Sequence, residues 1–172
     1  MTESTRICIR EYSDDDRVDT EHVFRVGLKK QEADLDDVGY AENTLGSLIQ
    51  RRRLRLSNWW VGTDEGGAIV AAMAVQLSYG SDVQLGAYAL IQELDVLPTH
   101  RGTGIGKQMI GWAEQEAREA GEDALLSATH PENTDSRDFH EKCGFERYEP
   151  FDRRDANLIA FVKKLTQRCT PC

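Results

Sequence analysis

The segment Leu94–Lys107 constrains this chain more than any other, because a predicted strand runs into a glycine-rich turn and the turn runs directly into a predicted helix. The turn reads Arg-Gly-Thr-Gly-Ile-Gly over residues 101–106, with three glycines in five residues. Glycine permits positive φ and lets a ligand approach the main chain closely. The first turn of a helix has unpaired N–H groups and a partial positive charge. The segment therefore predicts an anion site suited to a phosphate or pyrophosphate.

Two familiar phosphate-binding loops do not match this turn. A Walker A loop requires Gly-x4-Gly-Lys-Ser/Thr, whereas here Arg101 and Gln108 occupy its first and last positions. A dinucleotide fingerprint requires Gly-x-Gly-x-x-Gly, and here the third glycine comes one residue early. A glycine-rich connection without a ligand is the simpler alternative, although three glycines would weaken the helix start for no local gain.

Hydrophobic periodicity along the rest of the chain predicts the order β-α-α-β-β-β-α-β-α-β-β, a mixed α/β sheet with helices packed on it. The predicted helices are Val18–Lys30, Ala41–Leu56, Thr103–Ala120 and Thr134–Cys143. The predicted strands are Thr5–Tyr12, Asn58–Thr63, Ala68–Leu77, Ala87–Leu97, Ala124–Thr129, Phe145–Tyr148 and Asn157–Leu165.

Length and charge exclude several classes of protein. With 172 residues the chain is expected to form one domain with a core of its own. Its 21 basic against 30 acidic residues give a net charge of −9, which argues against a general nucleic-acid binder. We expect a cytoplasmic protein without membrane contact, because no signal peptide is visible and the longest apolar run, Ala68–Val75, is too short for a span. A single Cys-x-x-Cys at Cys169 and Cys172 lacks the second pair of a zinc site, so no metal is predicted.

The glycine turn resembles the Arg/Gln-x-x-Gly-x-Gly/Ala acyl-CoA signature of the GNAT superfamily of N-acetyltransferases. Residues 133–145 are similar to a second motif of that family, Asn-x-x-Ala/Ser-x-x-Phe-Tyr-x-x-x-Gly-Phe. The spacing between the two motifs fits one strand–helix–strand unit. The resemblance is sharp over residues 91–147 and rests only on element order over residues 1–90.

The resemblance implies a GNAT-like acyl-CoA N-acyltransferase fold, an α/β structure whose mostly antiparallel central sheet has splayed strands 4 and 5 and helices on both faces. It implies a single GNAT domain over residues 1–166, with residues 167–172 as a flexible tail. The implied reaction moves an acetyl group from acetyl-CoA to a primary amine by direct attack in a ternary complex, without a metal. Because the family often dimerises, a homodimer is one expected assembly.

The resemblance also implies which residues contact the cofactor. Backbone N–H groups of the turn would hold the CoA pyrophosphate; the turn residues are Arg101, Gly102, Thr103, Gly104, Ile105, Gly106 and Lys107. Backbone groups of Leu94, Asp95 and Val96 would pair with the pantetheine arm, and Asn133 would face the cofactor nearby. For the 3′-phosphate the candidates are Lys107, Arg137 and Lys142, each of which is otherwise a solvated surface charge.

The catalytic residues are less determined, because this chain departs from the family on strand 4. The attacking amine must be neutral, so a base or a water chain must take its proton. The positions where the family often has a base hold Gln92 and Leu90, which cannot act as one. Glu93 is the candidate base, but regular alternation points it to the other face unless a bulge turns it; otherwise it faces solvent or pairs with a cation. His140 stands where the family has a Tyr thought to protonate CoA, and is either the general acid or a spectator.

Two charge clusters point to different acceptors. The first two helices and their flanking segments carry Asp14, Asp15, Asp16, Asp34, Asp36 and Asp37, which suit a cationic amine such as a polyamine, an aminoglycoside or a Lys-bearing peptide, or are simply solvated. The run 51–55 carries four arginines, which form a solvated helix end or contact an anionic acceptor or nucleic acid. A small-molecule amine is the favoured acceptor. A protein or peptide N-acetyltransferase and a non-catalytic acyl-CoA sensor are the alternatives.

Overall fold

A computed structural model of the chain describes residues 5–151 and 157–165. The helices of this part are α1 (Arg17–Leu35), α2 (Tyr40–Arg53), α3 (Ile105–Glu119) and α4 (Thr134–Lys142). The strands are β1 (Cys8–Glu11), β2 (Asn58–Thr63), β3 (Ile69–Asp82), β4 (Gly86–Val96), β5 (Ala124–Thr129), β6 (Glu146–Arg147) and β7 (Ile159–Lys164). The predicted element order is confirmed, whereas the predicted tail 167–172 lies outside the described residues.

The strands form one seven-stranded mixed sheet in the order β1-β2-β3-β4-β5-β7-β6. β4 and β5 run parallel, and their register places Tyr88, Ala89 and Leu90 opposite Ala124, Leu125 and Leu126. β4 continues beyond this register to Val96 and β5 to Thr129. A pairing limited to the first part of both strands agrees with the expected splay of strands 4 and 5.

Two elements are longer than the sequence predicts. α1 extends beyond its predicted end at Lys30 to Leu35, and it ends where Asp36 adopts a left-handed φ of 51°. β3 extends to Asp82, past an irregular Ser78 whose N–H is held by the buried Glu122 carboxylate at 2.5 Å. The Glu122 side chain, which is remote in sequence, thus stabilises β3 at Ser78, where the positive φ of Ser78 would otherwise end the strand.

The chain contains two compact units, the first formed by Met1–Val75 and Gln92–Trp112. In this unit, apolar side chains of α1, α2, β2 and β3 form one core. Trp59 stands at its centre, with edge-to-face contacts to Phe24 and Tyr12 at ring-centroid distances of 5.2 and 5.3 Å. This core fixes α1 and α2 against the sheet, and the following site depends on that placement.

The second unit contains Gln76–Ile91 and the described residues from Ala113 onward. Its apolar cluster uses alternate residues of β5 and β7, including Ala124, Leu126 and Val162. The intervening residues Ser127 and Phe161 face the other side, where they contact His140 of α4. Within the described residues of the whole chain, no helix combines the length and apolar character that a membrane crossing requires.

Candidate active site

The glycine turn has the backbone that its sequence predicts. Gly102 and Gly104 adopt positive φ values of 75° and 86°, a conformation that residues with a side chain rarely take. α3 begins at Ile105, and the Gln108 N–H donates to the Gly104 carbonyl at 3.1 Å. The N–H groups of residues 105–107 therefore precede the first bond of the helix ladder and have no acceptor within the helix. This is the geometry of an anion site.

Arg101 closes the turn rather than projecting from it. Its Nε donates to the Val96 carbonyl at 2.9 Å, and its backbone N–H donates to the Pro98 carbonyl at 3.3 Å. Thr103 Oγ1 donates to the His100 carbonyl at 2.7 Å. Since the Arg101 N–H is engaged inside the turn, the N–H groups that follow it are better placed for a ligand.

At the end of β4, the side chains of Glu93 and Asp95 both face α1. Asp95 is buried, and a Cβ on Gly27 of α1 would lie 1.7 Å from its Oδ1. Among the described residues its Oδ2 has no hydrogen-bond partner. Burial, followed by the charge of Glu93, raises the pKa of Asp95 well above its usual range, against the effect of the Arg101 charge. Burial therefore favours the protonated form of Asp95.

Glu93 is half-buried and lies next to an amide rather than a cation. Gln31 of α1 contacts it, with Nε2 of the amide donating to Oε1 of Glu93 at 3.5 Å. Burial raises the pKa of Glu93 to about 7, although the Gln31 contact and the Leu94 N–H both favour its charged form. The predicted alternatives, a carboxylate facing solvent or paired with a cation, do not describe this environment. Glu93 is instead a carboxyl group that titrates near neutral pH.

Tyr40, at the start of α2, completes this polar group. Its hydroxyl donates to Oε1 of Gln31 at 3.3 Å, and burial followed by the charge of Glu93 raises its pKa to about 12. Neither Gln31 nor Tyr40 emerged from the sequence analysis. A signal was present in the apolar stripe of α1, where Phe24 and Leu28 are followed at helical spacing by the polar Gln31.

In the second unit, both ring nitrogens of His140 are engaged. Nδ1 lies 2.6 Å from the Ser136 carbonyl, which can only accept, so Nδ1 carries the proton. Nε2 then accepts from the Ser127 hydroxyl at 2.8 Å. The ring stacks on Phe161 at 4.8 Å, and burial lowers the pKa of His140. His140 is therefore a buried, neutral imidazole at pH 7.

The other predicted cofactor contacts have mixed surroundings. Asn133 is the N-cap of α4, and its side chain accepts from the Ser136 N–H at 3.1 Å. Arg137 is exposed and donates to the Pro131 carbonyl at 3.1 Å. Lys107 and Lys142 are exposed.

The predicted acidic cluster around the first two helices is partly neutralised by neighbouring cations. Arg10 donates to both carboxylate oxygens of Asp16 at 2.6 and 2.7 Å, and the Ser13 N–H adds a third bond at 2.8 Å. These contacts, chiefly the Arg10 bond, hold the pKa of Asp16 well below its usual range. Asp34 pairs with Lys30 at 2.6 Å. Asp16 and Asp34 therefore have structural partners, which reduces the negative charge available to an acceptor.

Known proteins resemble this chain in sequence and in fold. Over 57 residues it is 42% identical to the aminoalkylphosphonate N-acetyltransferase of Salmonella typhimurium, a match that covers 33% of this chain and only 37% of that relative. The PaiA N-acetyltransferase from Thermoplasma acidophilum, solved with coenzyme A, superimposes with a TM-score of 0.73 at 19% identity, over 92% of this chain and 99% of the other. A GNAT family acetyltransferase from Brucella melitensis, solved with acetyl-CoA, gives a TM-score of 0.64 at 17% identity, over 94% and 90%.

A model of the acetyltransferase (GNAT) family matches residues 27–145, which is more than half of the chain. The matched segment contains Glu93, the glycine turn and His140. The chain therefore belongs to the acetyltransferase (GNAT) family.

Proposed function

We propose that this enzyme acetylates the primary amine of a small, cationic substrate by direct attack in a ternary complex, with Glu93 as the general base. The observation that supports this role is the pKa of about 7 that burial gives Glu93 on the strand leading into the glycine turn. A base is most effective when its pKa lies near the working pH, because it is then both ionised and able to hold a proton.

In the proposed reaction, ionised Glu93 takes a proton from the acceptor ammonium, directly or through one water. The neutral nitrogen attacks the thioester carbonyl carbon and forms the C–N bond, and the C–S bond then breaks with its electron pair on sulfur. The nitrogen loses a second proton to become the amide, and the thiolate gains one, so these two transfers balance. The oxyanion that develops between these steps needs a hydrogen-bond donor. The Val96 N–H is our candidate for that donor.

For the cofactor, we propose that the pyrophosphate lies over the N–H groups that open α3. The turn supports this role because it combines left-handed glycines with the three N–H groups of residues 105–107, which have no acceptor in the helix. Backbone groups of Leu94, Asp95 and Val96 are proposed to pair with pantetheine, and exposed Lys107 is a candidate for the 3′-phosphate. Asn133 is proposed to contact the cofactor while it caps α4.

His140 is our candidate for the acid that protonates the departing thiolate, and its geometry sets a condition on that role. Its Nδ1 proton is bound to the Ser136 carbonyl, and its Nε2 is an acceptor. His140 must therefore first gain a proton on Nε2, and the Ser127 hydroxyl lies in the path of that proton. If His140→Ala leaves kcat unchanged between pH 6 and 9, His140 is a structural residue.

The acceptor has a second candidate class, an amine that also carries an anionic group. The partial match to an aminoalkylphosphonate N-acetyltransferase supports this class. The internal pairing of Asp16 and Asp34 supports it too, because it weakens the case for a strongly cationic acceptor. An assay that includes aminoalkylphosphonates beside polyamines and aminoglycosides separates the two classes.

The test has two steps. Isothermal titration with acetyl-CoA is expected to show binding at micromolar concentration, and the absence of such binding would refute the proposal. A thiol-release assay over small amines, aminoalkylphosphonates, aminoglycosides and Lys-bearing peptides then identifies the acceptor class. Binding without turnover on any amine would favour a non-catalytic sensor, and turnover on peptides alone would favour a protein acetyltransferase.

A further inference from the structure

A series of hydrogen bonds that starts on α2 and continues on α1 ends at Glu93. Tyr40 donates to the carbonyl oxygen of the Gln31 amide at 3.3 Å, and the NH₂ group of the same amide donates to Glu93 at 3.5 Å. The side chain of Thr44, which lies one helical turn after Tyr40 on α2, forms a hydrogen bond with the Tyr40 side chain. Because each donor is polarised by the one behind it, such a series strengthens toward its final acceptor. That final acceptor is the carboxylate of Glu93.

We infer that Gln31 is a positioning residue that holds the Glu93 carboxylate in its ionised form and in a fixed orientation, and that Tyr40 orients Gln31. This inference rests on the proposed role of Glu93 as the base. An amide can turn end for end, and only one orientation presents NH₂ to Glu93. The Tyr40 hydroxyl selects that orientation, because it donates to the carbonyl end. α1 and α2 would thus supply the donors that keep the half-buried Glu93 carboxylate ionised, so that it can take a proton.

The groups that face Glu93 make this support necessary. Asp95 lies two residues further along the same strand and also faces α1. Tyr40 of α2 lies close enough to both carboxyl groups for their charges to raise its pKa. The charge of Arg101 opposes the rise in the pKa of Asp95, and the charge of Asp37 adds to the rise in the pKa of Tyr40. The contacts described for Glu93 are therefore neutral donors, the Gln31 amide and the Leu94 N–H. Removing the Gln31 donor should shift Glu93 toward its protonated form.

The direct test is a carbon NMR titration of Glu93 in full-length protein labelled with ¹³C at the glutamate side-chain carboxyl and assigned with Glu93→Gln. In Gln31→Met, which keeps side-chain length without a donor, the Glu93 midpoint is expected to rise by about one pH unit, the size of effect typical of a lost hydrogen bond to a charged group. In Tyr40→Phe the midpoint is expected to move in the same direction by less. The acidic limb of the pH–rate profile should move with both midpoints.

Two matched controls remove hydrogen bonds of the same kind elsewhere. Gln115→Met removes a hydrogen bond of 2.9 Å from the Gln115 amide to Glu119 on the exposed face of α3. Tyr148→Phe removes a hydrogen bond of 2.9 Å from the Tyr148 hydroxyl to Gln84. Both are expected to leave the Glu93 midpoint unchanged. An unchanged midpoint in folded Gln31→Met would overturn the inference, even in an active enzyme. If the wild-type protein acetylates no amine but the Glu93 midpoint still rises in Gln31→Met, the inference about Gln31 is supported and the proposed function is refuted.

Discussion

Two carboxyl sites in the first unit show opposite solutions to burial. Asp16 is buried against Arg10 and accepts bonds from the guanidinium and from Ser13, so its charged form is stabilised. Glu93 is half-buried against Gln31, without a cation among its described contacts, so its neutral form is favoured and its pKa rises to about 7. The first carboxylate holds the start of α1 in place. The second is free to exchange a proton near neutral pH, and this is what a base requires.

The two sites also affect stability with opposite signs. The folded pKa of Asp16 is lowered, so Asp16 stabilises the fold above its usual pKa of 3.8, and this contribution is lost as the pH falls below that value. The folded pKa of Glu93 is raised, so Glu93 destabilises the fold as the pH rises from its usual 4.5 through about 7. We therefore interpret Asp16 as a structural acid and propose Glu93 as the functional acid.

The largest expected effect is on the functional acid. Glu93→Gln keeps the shape of the side chain but removes its ability to take a proton, so kcat/KM is expected to fall about 10²- to 10⁴-fold. Acetyl-CoA affinity by isothermal titration should change little, and the melting temperature at pH 8 should not fall. Glu65→Gln, on the exposed turn between β2 and β3, is the matched control and should retain wild-type kcat/KM. A loss smaller than tenfold in Glu93→Gln would remove Glu93 from the mechanism.

A smaller effect is expected behind the functional acid, where Asp95 occupies the space over Gly27. Gly27→Ala places a methyl group into the Asp95 carboxyl group, and we expect a loss of about 1–3 kcal/mol in unfolding free energy from overpacking. Gly46→Ala on the exposed face of α2 has no heavy atom within 4 Å of the new methyl group and should gain about 0.5–1 kcal/mol from helix propensity. Urea denaturation compares the two; equal stabilities would show that Asp95 does not require a glycine on α1.

The structural acid is expected to show the smallest effect, on stability alone. Asp16→Asn should lower the unfolding free energy by about 1–2 kcal/mol at pH 7, because it removes the charged hydrogen bonds to Arg10 and Ser13. The difference from wild type should shrink below pH 4, because Asp16 of the unfolded chain then takes up a proton while Asp16 of the folded protein stays charged. Asp15→Asn, at an exposed neighbouring position, is the control and should change stability by less than about 0.5 kcal/mol. Reduced kcat/KM in Asp16→Asn would place Asp16 at the acceptor site.

Local features of the sequence predicted the fold well. Helical and strand periodicities gave the element order, and the glycines at 102 and 104 predicted a left-handed turn at the start of α3, because both signals arise from neighbouring residues. The end of α1 and the length of β3 were less accessible. β3 in particular passes Ser78 with the help of Glu122, 44 residues later in the chain.

The candidate site depended more on contacts that sequence spacing does not contain. Gln31, the partner of Glu93, lies 62 residues earlier, and Ser127, which contacts Nε2 of His140, lies on β5, 13 residues before His140. Alternation alone therefore placed Glu93 on the face away from the expected base positions, without revealing what covers that face. The Arg10 partner of Asp16 is only six residues away and was accessible from the sequence.

The pH dependence of kcat/KM for wild type and Glu93→Gln, measured on the same amine between pH 5.5 and 9, tests the account most directly. Both proteins share the ionisation of the amine, so the difference between their profiles reports the base. The wild-type profile is expected to have an acidic limb with a midpoint near pH 7, because burial raises the pKa of Glu93 to about 7, and this limb is expected to disappear in Glu93→Gln. Two profiles of the same shape would contradict the assignment of Glu93 as the general base.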